Sequence, residues 1–300
     1  MSELRLLATP ALRSRAAAVK ARPAARGRSG LYAAWRLAVL IVVAGIVLVP
    51  LLATALGGFK DLGELRANPL GLPRVWLWRN YWDILGSLRY WRVLGNSLLI
   101  AGFTVVLTVA LAAMAAFAFA HLRFFGRRFL FAYLALGLMF PAAAAILPLF
   151  IKVRQLGLVD TPWGVILPQV AFGLAMGVLL MRNAFRQLPR ELMEAALVDG
   201  CGYMRYFVHI TLPLSRPILS TVAIIAFVGS WNSYLLPLIM LDSDTLYPWP
   251  LGLMQYQGEY STSWQLVLAF ITLTILPAIA VFVLAQRYIV EGLTAGAVKG

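Results

Sequence analysis

The sequence predicts an all-α membrane protein with six transmembrane helices and with its N- and C-termini both cytoplasmic. Three observations lead there. Six apolar stretches of 19 to 24 residues contain no Asp, Glu, Lys or Arg. At about 1.5 Å rise per residue, each can cross a hydrocarbon core of about 30 Å. The 300 residues are 61% hydrophobic and only 13% charged, against about 25% charged in a soluble domain. With the N-terminus inside, 18 of the 26 Lys and Arg fall in cytoplasmic segments and 8 in external ones, which is the asymmetry of the positive-inside rule. The net charge of +14 is therefore a topology signal and an attraction to anionic lipid, not the footprint of a nucleic-acid partner.

Residues 1–30 are rich in Ala, Arg, Ser, Gly and Pro and are expected to be a disordered basic cytoplasmic tail. Residues 31–300 then form one transmembrane domain. The first span, Leu37–Leu56, ends in Ala53-Thr54-Ala55 and mimics a signal peptide, but its 20 residues exceed the roughly 7–15 of a signal-peptide core. The external loop Gly57–Gly95 carries Trp76, Trp78, Tyr81, Trp82, Tyr90 and Trp91 and reads as short interfacial helices bearing an aromatic belt. Asn96-Ser97 precedes the second span, Leu98–Ala120, and suits its N-cap. A tight basic loop, His121–Arg128, leads into the third span, Phe129–Ile151. Trp163–Met181, Ile218–Leu241 and Trp264–Ala285 complete the six. Pro141, Pro148, Pro168, Pro237 and Pro277 break main-chain hydrogen bonds inside spans. In lipid the freed carbonyls need partners, so such breaks face protein or water.

The loop 182–217 carries a dense polar pattern. Pro189 suits the first turn of a helix, and Glu191 and Glu194 sit near its positive end. Leu192, Ala195, Ala196 and Asp199 fall at i, i+3, i+4 and i+7, on one narrow face. Gly200 supplies a stop with positive φ. A second helix, Tyr203–Ile210, is expected to end at Leu212-Pro213. This pattern fits equally a hairpin packed on the protein's own underside and a surface for a partner.

The spacing is more specific than the pattern. Glu194-Ala195-Ala196, three residues, Gly200, nine residues, Ile210, one residue and Leu212-Pro213 resemble the EAA loop of ABC importer membrane subunits. From about residue 31 onward the chain is similar to the maltose-transporter type of carbohydrate permease, and to the shorter of its two permease subunits. Asn96-Ser97-Leu98, Trp231-Asn232 with Pro237-Leu238, and the tail Gly292–Gly300 carry the rest of the likeness. The resemblance implies a type I importer permease fold in a bacterial inner membrane. The implied partners are a second permease subunit, a dimer of ATP-binding subunits and an extracytoplasmic solute-binding protein. It places Glu194, Ala195, Ala196, Asp199, Gly200, Ile210, Leu212 and Pro213 at the ATPase contact, with Gly296, Ala297, Val298, Lys299 and Gly300 reaching the same interface. Trp231, Asn232 and Pro237 become candidate residues of the translocation path. The loop Asp242–Ser263 would face the binding protein.

No G-x-x-x-x-G-K-[ST] occurs, so ATP and Mg belong to the partner subunits and this chain carries no cofactor of its own. The single Cys201 excludes an internal disulfide, and His121 and His209 make no metal constellation. No nucleophile–base arrangement points to an enzyme. An ion-coupled secondary transporter is the alternative. Such proteins place ionisable groups at mid-membrane, and these spans have none, although carbonyls of broken helices can bind Na⁺. A membrane anchor would require neither the prolines nor the loop spacing.

Overall fold

The computed structural model describes residues 26–258 and 261–297. Among them the backbone is helical almost throughout, and an isolated bridge between Gln257 and Thr262 is the only β pairing. The chain divides into two units, residues 1–52 and 53–300.

The described part of the first unit belongs to one helix, α1 (Arg26–Gly57). It begins earlier than the predicted span, so residues 26–30 of the expected tail are helical. No proline lies between Pro23 and this start, so nothing in the backbone forbids the extra turn. The remainder of that tail lies outside the described residues.

After the end of α1 the second unit holds two short helices, α2 (Leu62–Ala67) and α3 (Arg79–Leu85), where the sequence predicts short interfacial ones. The Asp61 carboxylate caps α2 by accepting from the Glu64 N–H at 2.8 Å. Lys60 is fully buried. Its ammonium donates to the carbonyls of Asn68 (2.6 Å) and Gly71 (2.7 Å), which stand in for the counter-ion that a buried cation otherwise requires. Phe59 is ringed by Trp76, Trp78 and Tyr81 at 4.4 to 5.1 Å between centroids.

Helix α4 (Leu88–His121) starts ten residues before the predicted span. Tyr90, Val93 and Leu94 are buried at helical spacing, so the helix gains packing by extending. Asn96 and Ser97 consequently lie inside it and do not cap it. They hook a distant loop instead. The Asn96 amide donates to the carbonyls of Thr245 and Tyr247, and the Ser97 hydroxyl accepts from the Trp249 N–H at 2.7 Å.

The third predicted span is two helices, α5 (Arg127–Leu136) and α6 (Ile146–Gln155), joined by 3₁₀ turns and bent by 100°. Phe140 is forced out of the helical region ahead of Pro141, and both are extended. Helix α7 (Pro162–Phe185) has Pro162 in its first turn and Thr161 as its cap.

After the segment 186–215, treated below, α11 (Arg216–Trp231) and α12 (Leu235–Met240) replace the predicted fifth span. Pro237 explains the gap. In a continuous helix its ring would strike the Ser233 carbonyl, but in the first turn of a new helix it is tolerated. Following a short turn, α13 (Trp249–Gly252), the last helix, α14 (Trp264–Ala297), runs through Pro277 and includes Gly296 and Ala297. Val298, Lys299 and Gly300 lie outside the described residues. Among the described residues four helices are long and apolar enough to cross a membrane, and counting each of two bent helix pairs as one span gives six.

Within this unit α4 packs along α7 and α11, and α11 against α14. The α4–α7 approach depends on Gly177, where a Cβ would lie 2.9 Å from the Ala112 Cβ and 3.3 Å from Val222. Three apolar clusters result. One joins the ends of α4 and α7 to the segment 196–207, and two lie toward the opposite ends of these helices.

Candidate functional site

The segment after α7 folds as two arms around a tight turn. The first arm is α8 (Arg190–Val198), and Pro189 stands just before it as N-cap, not within its first turn. The turn is a Schellman motif: Gly200 has φ +75°, its N–H donates to Leu197, and the Cys201 N–H donates to Ala196 at 2.8 Å. The positive φ expected of Gly200 is present, and Asp199 is the C-cap residue.

The face expected from Leu192, Ala195, Ala196 and Asp199 divides. Ala196 is 7% exposed and sits in the cluster with Phe185, Tyr206 and Phe207, beside half-buried Met193. Glu194, Ala195, Leu192 and Asp199 are exposed. Ala196 is therefore the seat of α8 on its own protein and not a surface contact. Its small side chain sets how closely the helix can sit.

The second arm departs further from expectation. It runs α9 (Tyr203–Tyr206), a π turn over Phe207–Thr211, and α10 (Leu212–Leu214). Pro213 does not end the helix. Lacking an N–H, and with its ring displacing the His209 carbonyl, it opens the preceding turn to the wider pitch. Tyr206 and Phe207 are buried against Phe117, Ile210 and Leu212 are half-buried beside the same cluster, and Pro213 is exposed.

A second feature lies between the apolar clusters. A cavity of about 520 Å³ is lined from α4, α7, α11 and the broken third span. Its polar groups are few. The Gln169 carbonyl oxygen accepts from the Thr104 hydroxyl at 3.0 Å and the Ser230 hydroxyl at 2.6 Å. The Gln169 amide nitrogen and the Thr108 hydroxyl are buried and have no hydrogen-bond partner among the described residues. Among the described residues no Asp, Glu, His, Lys or Arg lines the cavity.

The expected path residues are elsewhere. Trp231 is 3% exposed, stacks on Phe227 and accepts from the Trp249 indole N–H at 2.6 Å. Pro237 is buried outside the cavity, and the exposed Asn232 amide returns to the Val228 carbonyl at 2.9 Å. None of the three lines the cavity. Gln169 went unremarked, although it is the lone amide in the middle of an otherwise apolar stretch, Trp163–Met181.

At the other end, Asp160 ties two loops together. It adopts φ +57° and donates its N–H to the Met240 carbonyl. Its carboxylate accepts from the Ser243 hydroxyl and from the Asp242 and Ser243 N–H groups. These bonds, the Ser243 hydroxyl foremost, hold its carboxyl below the ordinary carboxylate range. A depressed value means the clamp stabilises the fold above the unfolded-state pKa and fades as pH falls through the lower folded-state value. Asp160→Asn keeps the left-handed backbone but not the charge. Its melting temperature is expected to lie below wild type at neutral pH and to converge on it in acid. An undiminished gap at acidic pH would refute the clamp.

The family described as binding-protein-dependent transport system inner membrane component matches residues 108–294, which include both arms of the turn and most of the cavity. The diacetylchitobiose uptake system permease protein NgcG of Streptomyces coelicolor is 34% identical over 267 residues, 88% of each chain. The arabinooligosaccharides transport system permease protein AraQ of Halalkalibacterium halodurans is 37% identical over 262 residues, covering 86% of this chain and 93% of that one. The crystal structure of a bacterial ABC transporter involved in the import of the acidic polysaccharide alginate contains a chain of the same fold. Its TM-score is 0.76 at 23% identity, over 87% of this chain and 98% of that one.

Proposed function

This chain belongs to the family of binding-protein-dependent transport system inner membrane components, and from that premise we propose that it is one of two permease subunits of an ATP-driven carbohydrate importer. It is a transport subunit and not an enzyme. In this reading the chain crosses a bacterial inner membrane six times, with both termini and the segment 182–217 in the cytoplasm. A binding protein delivers the solute from outside, and a dimer of ATPases supplies the work from below.

The observation that carries the reading is α8. Glu194 and Ala195 are exposed on a short helix whose opposite side is seated through Ala196 and whose end is locked by Gly200. A rigidly mounted helix with an exposed carboxylate can transmit a push from a partner. A loose loop would absorb it. Docking at Glu194, Ala195, Asp199 and Gly200 then moves α9 and the cluster beneath it as one body, with Ile210 and Leu212 inside that body and Pro213 shaping its turn.

The cavity supplies the passage. Its hydroxyl and amide groups suit sugar hydroxyls, and the absence of cations along its lining favours a neutral sugar over an acidic one. The absence of carboxylates and histidines there argues against ion coupling. The carbohydrate class follows the relatives named above.

The test is energetic. Proteoliposomes holding this chain with its partner permease, ATPases and binding protein are expected to accumulate a neutral oligosaccharide when ATP is enclosed. Ionophores should leave that uptake intact, and ATP depletion should stop it. The reverse pattern would overturn the proposal.

A further inference from the structure

Apart from the turn and the mid-span cavity, charge concentrates where the end of α4, the turn before α5 and the end of α7 meet. Arg123, Arg127, Arg128, Arg182 and Arg186 line one cavity of about 850 Å³. Phenylalanines complete its wall, among them Phe124 and Phe129.

Two of the arginines are held in place. The Arg182 guanidinium lies 4.0 Å over the Phe131 ring, and its Nε donates to the Phe119 carbonyl at 3.4 Å. Arg127 donates to the Leu122 carbonyl at 3.0 Å. The charges of Arg186 and Arg127 both bear on Arg182. The two ion pairs among the described residues, Arg79–Asp83 and Arg89–Asp244, lie elsewhere. Five like charges with apolar walls between them repel one another at close range, and an anion in the cavity relieves that repulsion.

The same end of the molecule exposes aromatic rings. Phe125 is fully exposed and Phe129 largely so. A ligand with an anionic head and an apolar tail satisfies both halves. Its head lies among guanidinium groups that match phosphate oxygens in pairs, and its tail lies against the rings.

We propose that this cavity binds the phosphodiester headgroup of an anionic phospholipid from the cytoplasmic leaflet. The leaflet assignment rests on the sidedness given under Proposed function. The fit to a phosphodiester rests on the cavity alone. Free inorganic phosphate shares the head chemistry but leaves the rings uncovered.

The assembled transporter, examined by native mass spectrometry in detergent, tests this. Phosphatidylglycerol is expected to be retained in preference to phosphatidylcholine, and millimolar inorganic phosphate should not displace it. Arg123→Gln with Arg186→Gln should weaken retention about thirty-fold, at about five-fold per charge. Lysine at both positions should restore most of it, which separates charge from misfolding. Equal retention by wild type and the glutamine variant would overturn the proposal, as would displacement of the lipid by phosphate. Loss of the ATPase subunits with lipid unchanged would mean that the arginines serve a protein carboxylate, and would overturn it too. Phe125→Cys in a Cys201→Ser chain should react with an impermeant maleimide only from inside. Labelling from outside would refute the sidedness, whereas inside labelling with unchanged lipid retention would refute the lipid site alone.

Discussion

Glu194→Lys is expected to abolish solute uptake by the reconstituted transporter while the permease remains folded and inserted. Glu194 is exposed, and among the described residues its side chain makes no hydrogen bond or ion pair. Substitution at such a position shifts folding stability by about 0.5 kcal/mol or less. Its neighbour Ala196 carries the packing instead, at 7% exposure. At an assembled interface the balance changes. Removing one partner of a buried charge pair costs about 2–5 kcal/mol, about thirty-fold or more in binding, and charge reversal adds repulsion. Uptake should therefore fall by at least about thirty-fold, with normal amounts of permease in the membrane and with ATPase subunits lost or uncoupled. The measurement is transport together with co-purification of the ATPase. Wild-type uptake by this variant would remove α8 from the coupling path.

How much of this was legible in the sequence differs from element to element. The apolar stretches were plain because charge is excluded from hydrocarbon, and four of them appear as long apolar helices. Their ends were less plain. Asn96 and Ser97 have the chemistry of a helix cap, yet α4 continues through them because burying Tyr90, Val93 and Leu94 outweighs a cap at that point. Prolines did not all mark breaks, since Pro168 and Pro277 lie inside continuous helices. Pro141 produces a 100° bend and Pro237 a restarted helix, whereas Pro213 only widens a turn.

Gly200 was readable because a left-handed turn admits few alternatives. Ala196 was not. In a nine-residue helix, a residue three or four places from its neighbours belongs to a buried face or an exposed one depending on what lies beneath, and that is set by Phe185, Tyr206 and Phe207 from other elements. The cavity depends even more on long-range placement. Thr104, Gln169 and Ser230 are separated by more than sixty residues at each step and meet only once three helices have packed.

That meeting point makes the second prediction. Gln169→Leu is expected to lower uptake by about five- to a hundred-fold while leaving assembly and the stimulation of ATP hydrolysis by the binding protein largely intact. The asymmetry arises from who is left unpaired. Leucine is close to glutamine in volume, so no large void opens. The Thr104 and Ser230 hydroxyls lose their shared acceptor, but each can turn to a carbonyl of its own helix, so the cost to the fold is about 1–2 kcal/mol. The Gln169 amide nitrogen is different. It is buried and has no hydrogen-bond partner among the described residues, so a sugar hydroxyl entering the cavity would complete it. Deleting that donor leaves the sugar's own oxygen without its partner in the cavity, which costs about 1–3 kcal/mol. The split between transport and stability is the informative quantity. If Gln169→Leu lowered the melting temperature sharply and left uptake per folded molecule unchanged, Gln169 would be a pin between three helices and the solute would pass elsewhere.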